Sequence, residues 1–100
     1  MHYFKISLGL TTMDKKTRFS YDTAIKQVAI RLRRGGFDGA SFGQKQGFWK
    51  GEVEDTLIIE IYDDESKLPI VQDMCEGLKL DFQQEMVLLN HEPAKPTLFI

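Results

Sequence analysis

The chain has 100 residues, with 13 Lys+Arg against 15 Asp+Glu, a formal charge of −2, 42% hydrophobic residues and one cysteine. That length suits one domain over residues 1–100 with a single core, and the near-neutral charge argues against a protein that grips extended nucleic acid over a wide surface. A lone Cys75 excludes an internal disulfide framework and a cysteine-based zinc site and fits a cytoplasmic location; no run approaches the roughly 18 apolar residues of a membrane helix, and MHYFKISLGL carries charge where a signal peptide needs its apolar run.

From His2 to Leu10 the side chains alternate, with His2, Phe4, Ile6, Leu8 and Leu10 on one face and Tyr3, Lys5, Ser7 and Gly9 on the other, which predicts a half-buried strand. The polar segment Thr11 to Phe19 leads to Ser20, a good N-cap, with Asp22 in the first turn of a helix beginning near Tyr21. Ala24, Ile25, Val28, Ala29 and Leu32 form its apolar stripe, and Gly35-Gly36 stops it. Next comes FDGASFGQKQGFWK, with glycines every four residues; a strand over Ala40 to Gln46 is expected here, followed by a turn. Thr56 to Tyr62 reads as a central strand with Leu57, Ile59 and Ile61 on one face. Ser66 should cap a second helix with Pro69 in its first turn and a stripe of Val71, Met74, Cys75, Leu78 and Phe82. Glu85 to Asn90 reads as the last strand, and the apolar end Leu98, Phe99 and Ile100 as a segment that covers an edge or docks on another subunit.

The order β-α-β-β-α-β is that of an α+β, ferredoxin-like plait: a four-stranded antiparallel sheet with both helices on one face and the other face open to a partner. The run Phe42, Gly43, Gln44, Lys45 and Gly47, followed by an apolar strand ending in acidic residues, resembles the PII-like signal-transducer superfamily. That resemblance implies a trimer holding an adenine nucleotide or anion between subunits. Gly47, Trp49, Gly51 and Glu54 are also similar to a G-x-W-x-G-x-x-E segment in small plait proteins of unknown function, which implies the fold and no chemistry.

Phe42, Gln44, Lys45, Phe48, Trp49 and Lys50 form the candidate recognition turn, since amphipathic rings beside cations anchor a protein or stack a base. Against this, Trp49 could simply pack over a sheet edge. Arg31, Arg33 and Arg34, with Lys45, are candidate anion contacts, although cations at a helix C-terminus are favourable through the dipole alone. Glu52, Glu54 and Asp55 stand at one end of the central strand and Asp63, Asp64 and Glu65 at the other, roughly 20 to 25 Å away. These carboxylates are too far apart for a hydrolytic pair and read as solvated residues that keep an apolar strand from aggregating. His2 and His91 lack metal-ligand spacing, Cys75 reads as a small buried hydrophobe, and no catalytic set, metal or cofactor motif is evident. The expected function is therefore non-enzymatic binding by a homo-oligomer, a dimer or trimer, acting on a protein partner as an accessory or inhibitory domain. The alternative is a PII-like sensor of a small nucleotide with sites between subunits.

Overall fold

The computed structural model describes residues 1–95. Strands β1 (His2–Gly9), β2 (Ser41–Trp49), β3 (Glu52–Asp63) and β4 (Leu88–Pro93) form one antiparallel sheet in the order β2-β3-β1-β4, with helices α1 (Tyr21–Arg34) and α2 (Leu68–Asp81) in the connections. This is the ferredoxin-like plait expected from the element order. The apolar tail Leu98 to Ile100, expected to cover an edge or dock on another subunit, lies outside the described residues.

The alternation in β1 decides which side is the core. Phe4, Ile6 and Leu8 are fully buried, as are Leu57, Ile59 and Ile61 opposite them in β3. Ala24, Val28 and Leu32 of α1 and Val71, Met74, Cys75 and Leu78 of α2 close over that face. Phe82 and Phe19 seal one end edge to face, ring centres 4.7 Å apart. Ser20 caps α1 by accepting a hydrogen bond from the Thr23 amide, and the helix ends as Phe37 N–H reaches back to the Leu32 carbonyl, with Gly36 left-handed between them.

Three boundaries differ from expectation, each for a local reason, and the strand order brings two residues together. The segment ending at Lys50 is not a turn: β2 runs straight through Trp49, β3 starts at Glu52, and Lys50-Gly51 alone reverse the chain. Both have positive φ, 49° and 82°, the geometry of the two-residue hairpin turn whose twist matches paired strands. The second helix is not capped by Ser66. Asp64 instead accepts from the Ser66 amide at the start of a 3-10 turn over Glu65–Lys67, which runs into α2. The last strand begins three residues later than expected and ends on Pro93, which an edge strand tolerates because one side of it needs no donors. Finally, β4 lies beside β1, so His2 and His91 meet: His2 Nε2 and His91 Nδ1 are 2.9 Å apart, and His2 is 5% exposed and firmly placed on the helix side.

Candidate functional site

Cross-strand partners share a face, so the register fixes what the uncovered side presents. Ser7 stands opposite Ile58 and Leu88, Gly9 opposite Thr56, Thr56 opposite Lys45, Glu54 opposite Gly47 and Glu52 opposite Trp49. At the Gly9 end this floor carries walls. One is the loop after β1, which folds on itself through a Thr11–Arg18 bridge and is tied by Met13 N–H to the Gln83 carbonyl. Another is the segment Gln84 to Leu88 leading into β4. The β2–β3 hairpin closes the third side. The result is a cleft of about 410 Å³ lined by Ser7, Ile58, Met86 and Leu88 among apolar and small groups and by Trp49, Glu54 and Gln84 among polar ones, within the size range of small-molecule sites.

Ion pairs clasp the walls together. Lys50 Nζ lies 2.7 Å from Glu85 Oε2 and 5.9 Å from the centre of the Trp49 ring, so the hairpin tip is strapped to the segment before β4. The hydrogen bond from Lys50 holds the Glu85 carboxyl below its ordinary range. Lys15 pairs with Glu52 across the mouth. Among the described residues Lys5, Arg18 and Lys45 line the cleft without an ion pair, and Glu54 is the carboxylate left facing them.

Glu54 is the unusual group. It is half-buried, and desolvation pushes its carboxyl above the ordinary glutamate range, with Lys15 opposing the shift. It leans over Gly9, where a Cβ would lie 2.6 Å from Glu54 Oε1 and 2.7 Å from Gln84 Oε1. A side chain at position 9 would thus occupy the corner where two oxygens now converge.

The residues singled out from sequence are divided by this geometry. Lys45 and Trp49 face the cleft, whereas Phe42, Gln44 and Phe48 alternate to the helix side and Lys50 sits in the turn. Arg31, Arg33 and Arg34 end α1 at the far end of the molecule, and Arg31 is committed to Asp81 at 2.7 Å. They do not join Lys45. At that same far end, on the open face, Tyr3 donates to Glu60 at 2.6 Å, and burial followed by this bond pushes the phenol up to about 12. Sequence reasoning placed Glu54 among solvated gatekeepers and passed over Gln84. The available signal was Gly9, an isolated glycine within an alternating strand, which often marks a close approach.

No protein-family model matches the chain, and no curated protein sequence does. Solved structures do. A structure described as a phage SAM lyase in the apo state aligns with a TM-score of 0.78 and 24% identity, covering 91% of this chain and 78% of that one. The likeness shows a shared fold. CutA1 from Pyrococcus horikoshii aligns at 0.60 with 11% identity over 98% of this chain and 87% of its own. The de novo designed protein Foldit4 gives 0.56 with 16% identity over 94% and 98%. One plait thus serves proteins of natural and artificial origin, and function has to be argued from the cleft.

Proposed function

We propose that the protein binds SAM in the open-face cleft and cleaves it without water or a redox partner. The observation that carries this is Glu54, a desolvated carboxylate set in an apolar-walled cleft of about 410 Å³. The 0.78 alignment to a phage SAM lyase supports it. SAM joins a flat adenosine, a sulfonium and an amino-acid end. Trp49, Ile58, Met86 and Leu88 offer the apolar surface that a flat base needs, and Lys5, Arg18 and Lys45 offer the cations for a carboxylate.

A lyase step on SAM breaks a carbon–sulfur bond, with the electron pair going to sulfur so that a neutral thioether leaves. The amino-acid fragment completes its vacated carbon with its own carboxylate oxygen or gives up a proton. Positive charge on sulfur disappears along this path. Apolar walls around the sulfur therefore favour the transition state over the ground state, and the chain's contribution is orientation and exclusion of water.

Incubating the protein with SAM and following methylthioadenosine by chromatography tests the chemistry, and thermal melts with SAM, ATP and cyclic nucleotides test the ligand. SAM at about 100 times its Kd should add about 2.7 kcal/mol of stability. The absence of both product and a shift with SAM refutes the proposal, and a shift with ATP or a cyclic nucleotide alone transfers the cleft to nucleotide sensing.

The hairpin tip supports a second reading, that copies of the chain assemble through it. Phe48 is 75% exposed, Val53 64% and Trp49 45%, clustered where β2 and β3 run on past the Thr56–Gly9 pair that ends the β1 ladder. Sedimentation should report a dimer or trimer, and a single-chain mass refutes it. A non-enzymatic, partner-blocking role would use the same tip; Phe48→Ser that abolishes partner capture in a protein inert toward SAM is the result favouring that role.

A further inference from the structure

The orientation of the Gln84 amide is fixed by its surroundings. Its Nε2 lies 2.7 Å from the Thr11 carbonyl and 3.0 Å from the Phe82 carbonyl, two acceptors that only an NH₂ group can satisfy. Oε1 must then point the other way, toward Gly9, where it and Glu54 Oε1 both lie within 2.7 Å of the place a Cβ would take. Gln84 is 9% exposed, and among the described residues its Oε1 accepts no hydrogen bond. That oxygen is not sealed in, since no buried side-chain polar atom lacks a partner. It therefore opens on the cleft, which Gln84 lines.

Two acceptor oxygens over one glycine call for a donor with several hydrogens, and the charge on Glu54 calls for a cation. Resting on the SAM reading above, we infer that Glu54 Oε1 and Gln84 Oε1 form the subsite that takes the α-ammonium of the ligand's amino-acid end, and not its sulfonium. The ammonium has hydrogens to give to both oxygens, whereas a sulfonium has none. The ammonium also keeps its charge throughout the reaction. A carboxylate spent on it stabilises ground state and transition state alike, while one placed against sulfur would hold the substrate back as its charge vanishes. Arg18 and Lys45, lining the same cleft, supply the opposite charge for the α-carboxylate. The corner thus selects a zwitterionic amino-acid group over a bare nucleoside.

The test is a set of affinities measured by calorimetry on the full chain, wild type and Glu54→Gln. Three ligands separate the groups: SAM, S-adenosylhomocysteine, which keeps the ammonium and lacks the sulfonium, and methylthioadenosine, which lacks both. Glu54→Gln should weaken SAM and S-adenosylhomocysteine by about tenfold or more, the scale of a lost hydrogen bond to a charged group, and leave methylthioadenosine within about twofold. Gly9→Ala, which puts a methyl against both oxygens, should give the same ranking. Loss for SAM alone places Glu54 against sulfur and overturns the inference while the SAM reading stands. Equal loss for all three, or no loss for any, also overturns it. If the wild type binds none of them, the SAM reading itself has failed and the inference falls with it.

Discussion

Replacing Gly9 by Ala probes the geometry on which the cleft is built. The new methyl would stand 2.6 Å from Glu54 Oε1 and 2.7 Å from Gln84 Oε1, so both side chains must shift. Glu54 ends a flexible chain and can swing toward the cleft. Gln84 cannot move so freely, because it is 9% exposed and its amide is held by the Thr11 and Phe82 carbonyls. Displacing it gives up two hydrogen bonds at about 1 kcal/mol each, against a return of about 0.5–1 kcal/mol from replacing glycine within a strand. A net loss of about 1–1.5 kcal/mol follows, and at about 4–8 °C per kcal/mol for a domain of this size Tm should fall by about 4–12 °C. Urea and thermal unfolding of Gly9→Ala, alone and combined with Glu54→Ala, measure it. Glu54→Ala should restore less than about 0.5 kcal/mol, since the strain sits on Gln84. A Gly9→Ala protein as stable as wild type, or full rescue by Glu54→Ala, refutes this account of the corner.

Gly51→Ala should cost about 1 kcal/mol or more in urea unfolding, because Gly51 holds φ at 82°, and an unchanged midpoint would mean the hairpin does not need that geometry. Burial, with a smaller push from Glu76, raises the Cys75 thiol to about 11 from an ordinary 9.0; its reaction with a thiol reagent at pH 8 should speed up about 100-fold on unfolding, and equal rates would count against its burial. Desolvation raises the Glu54 carboxyl in the folded state, so the folded chain holds this proton more tightly than the unfolded chain does. The stability this contributes is fully present below the unfolded pKa and is lost as pH rises through the folded one. Glu54→Gln should therefore gain on wild type at pH 7 and lose that advantage near pH 4; a gap that is the same at both pH values refutes the sign.

The fold was legible where one periodicity ran long enough to choose a face. Phe4, Ile6 and Leu8 in β1, and the stripes through Val28 and Leu78, each name their buried side without help. The Phe42 to Lys50 segment misled because its glycines and rings suggested irregularity. Its backbone is regular, and the reversal is confined to two residues, one of them a lysine forced to positive φ. Gly77 lies within α2, where the Arg31 guanidinium lies across it on the way to Asp81. The site was harder to see. Glu54 and Gln84 are thirty positions apart on separate elements, and only the strand order that sets β3 beside β1, together with the tether from Met13 to Gln83, brings their oxygens over Gly9. Acidity at a strand end says nothing about whether water will be excluded there.

The position of β1 has a consequence for biosynthesis. The earliest strand to leave the ribosome is flanked by β3 and β4, both later in the chain. At about 5–20 residues per second, some 2–10 s pass between the end of β1 and the emergence of its first neighbour. Throughout that interval an eight-residue run with Phe4, Ile6 and Leu8 along one side has neither ladder partner in place. The nascent chain thus has a period of vulnerability to self-association, closed only when β3 has emerged and docked, and mutations that slow the docking of β3 should lower soluble yield more than their effect on the finished protein's stability would suggest.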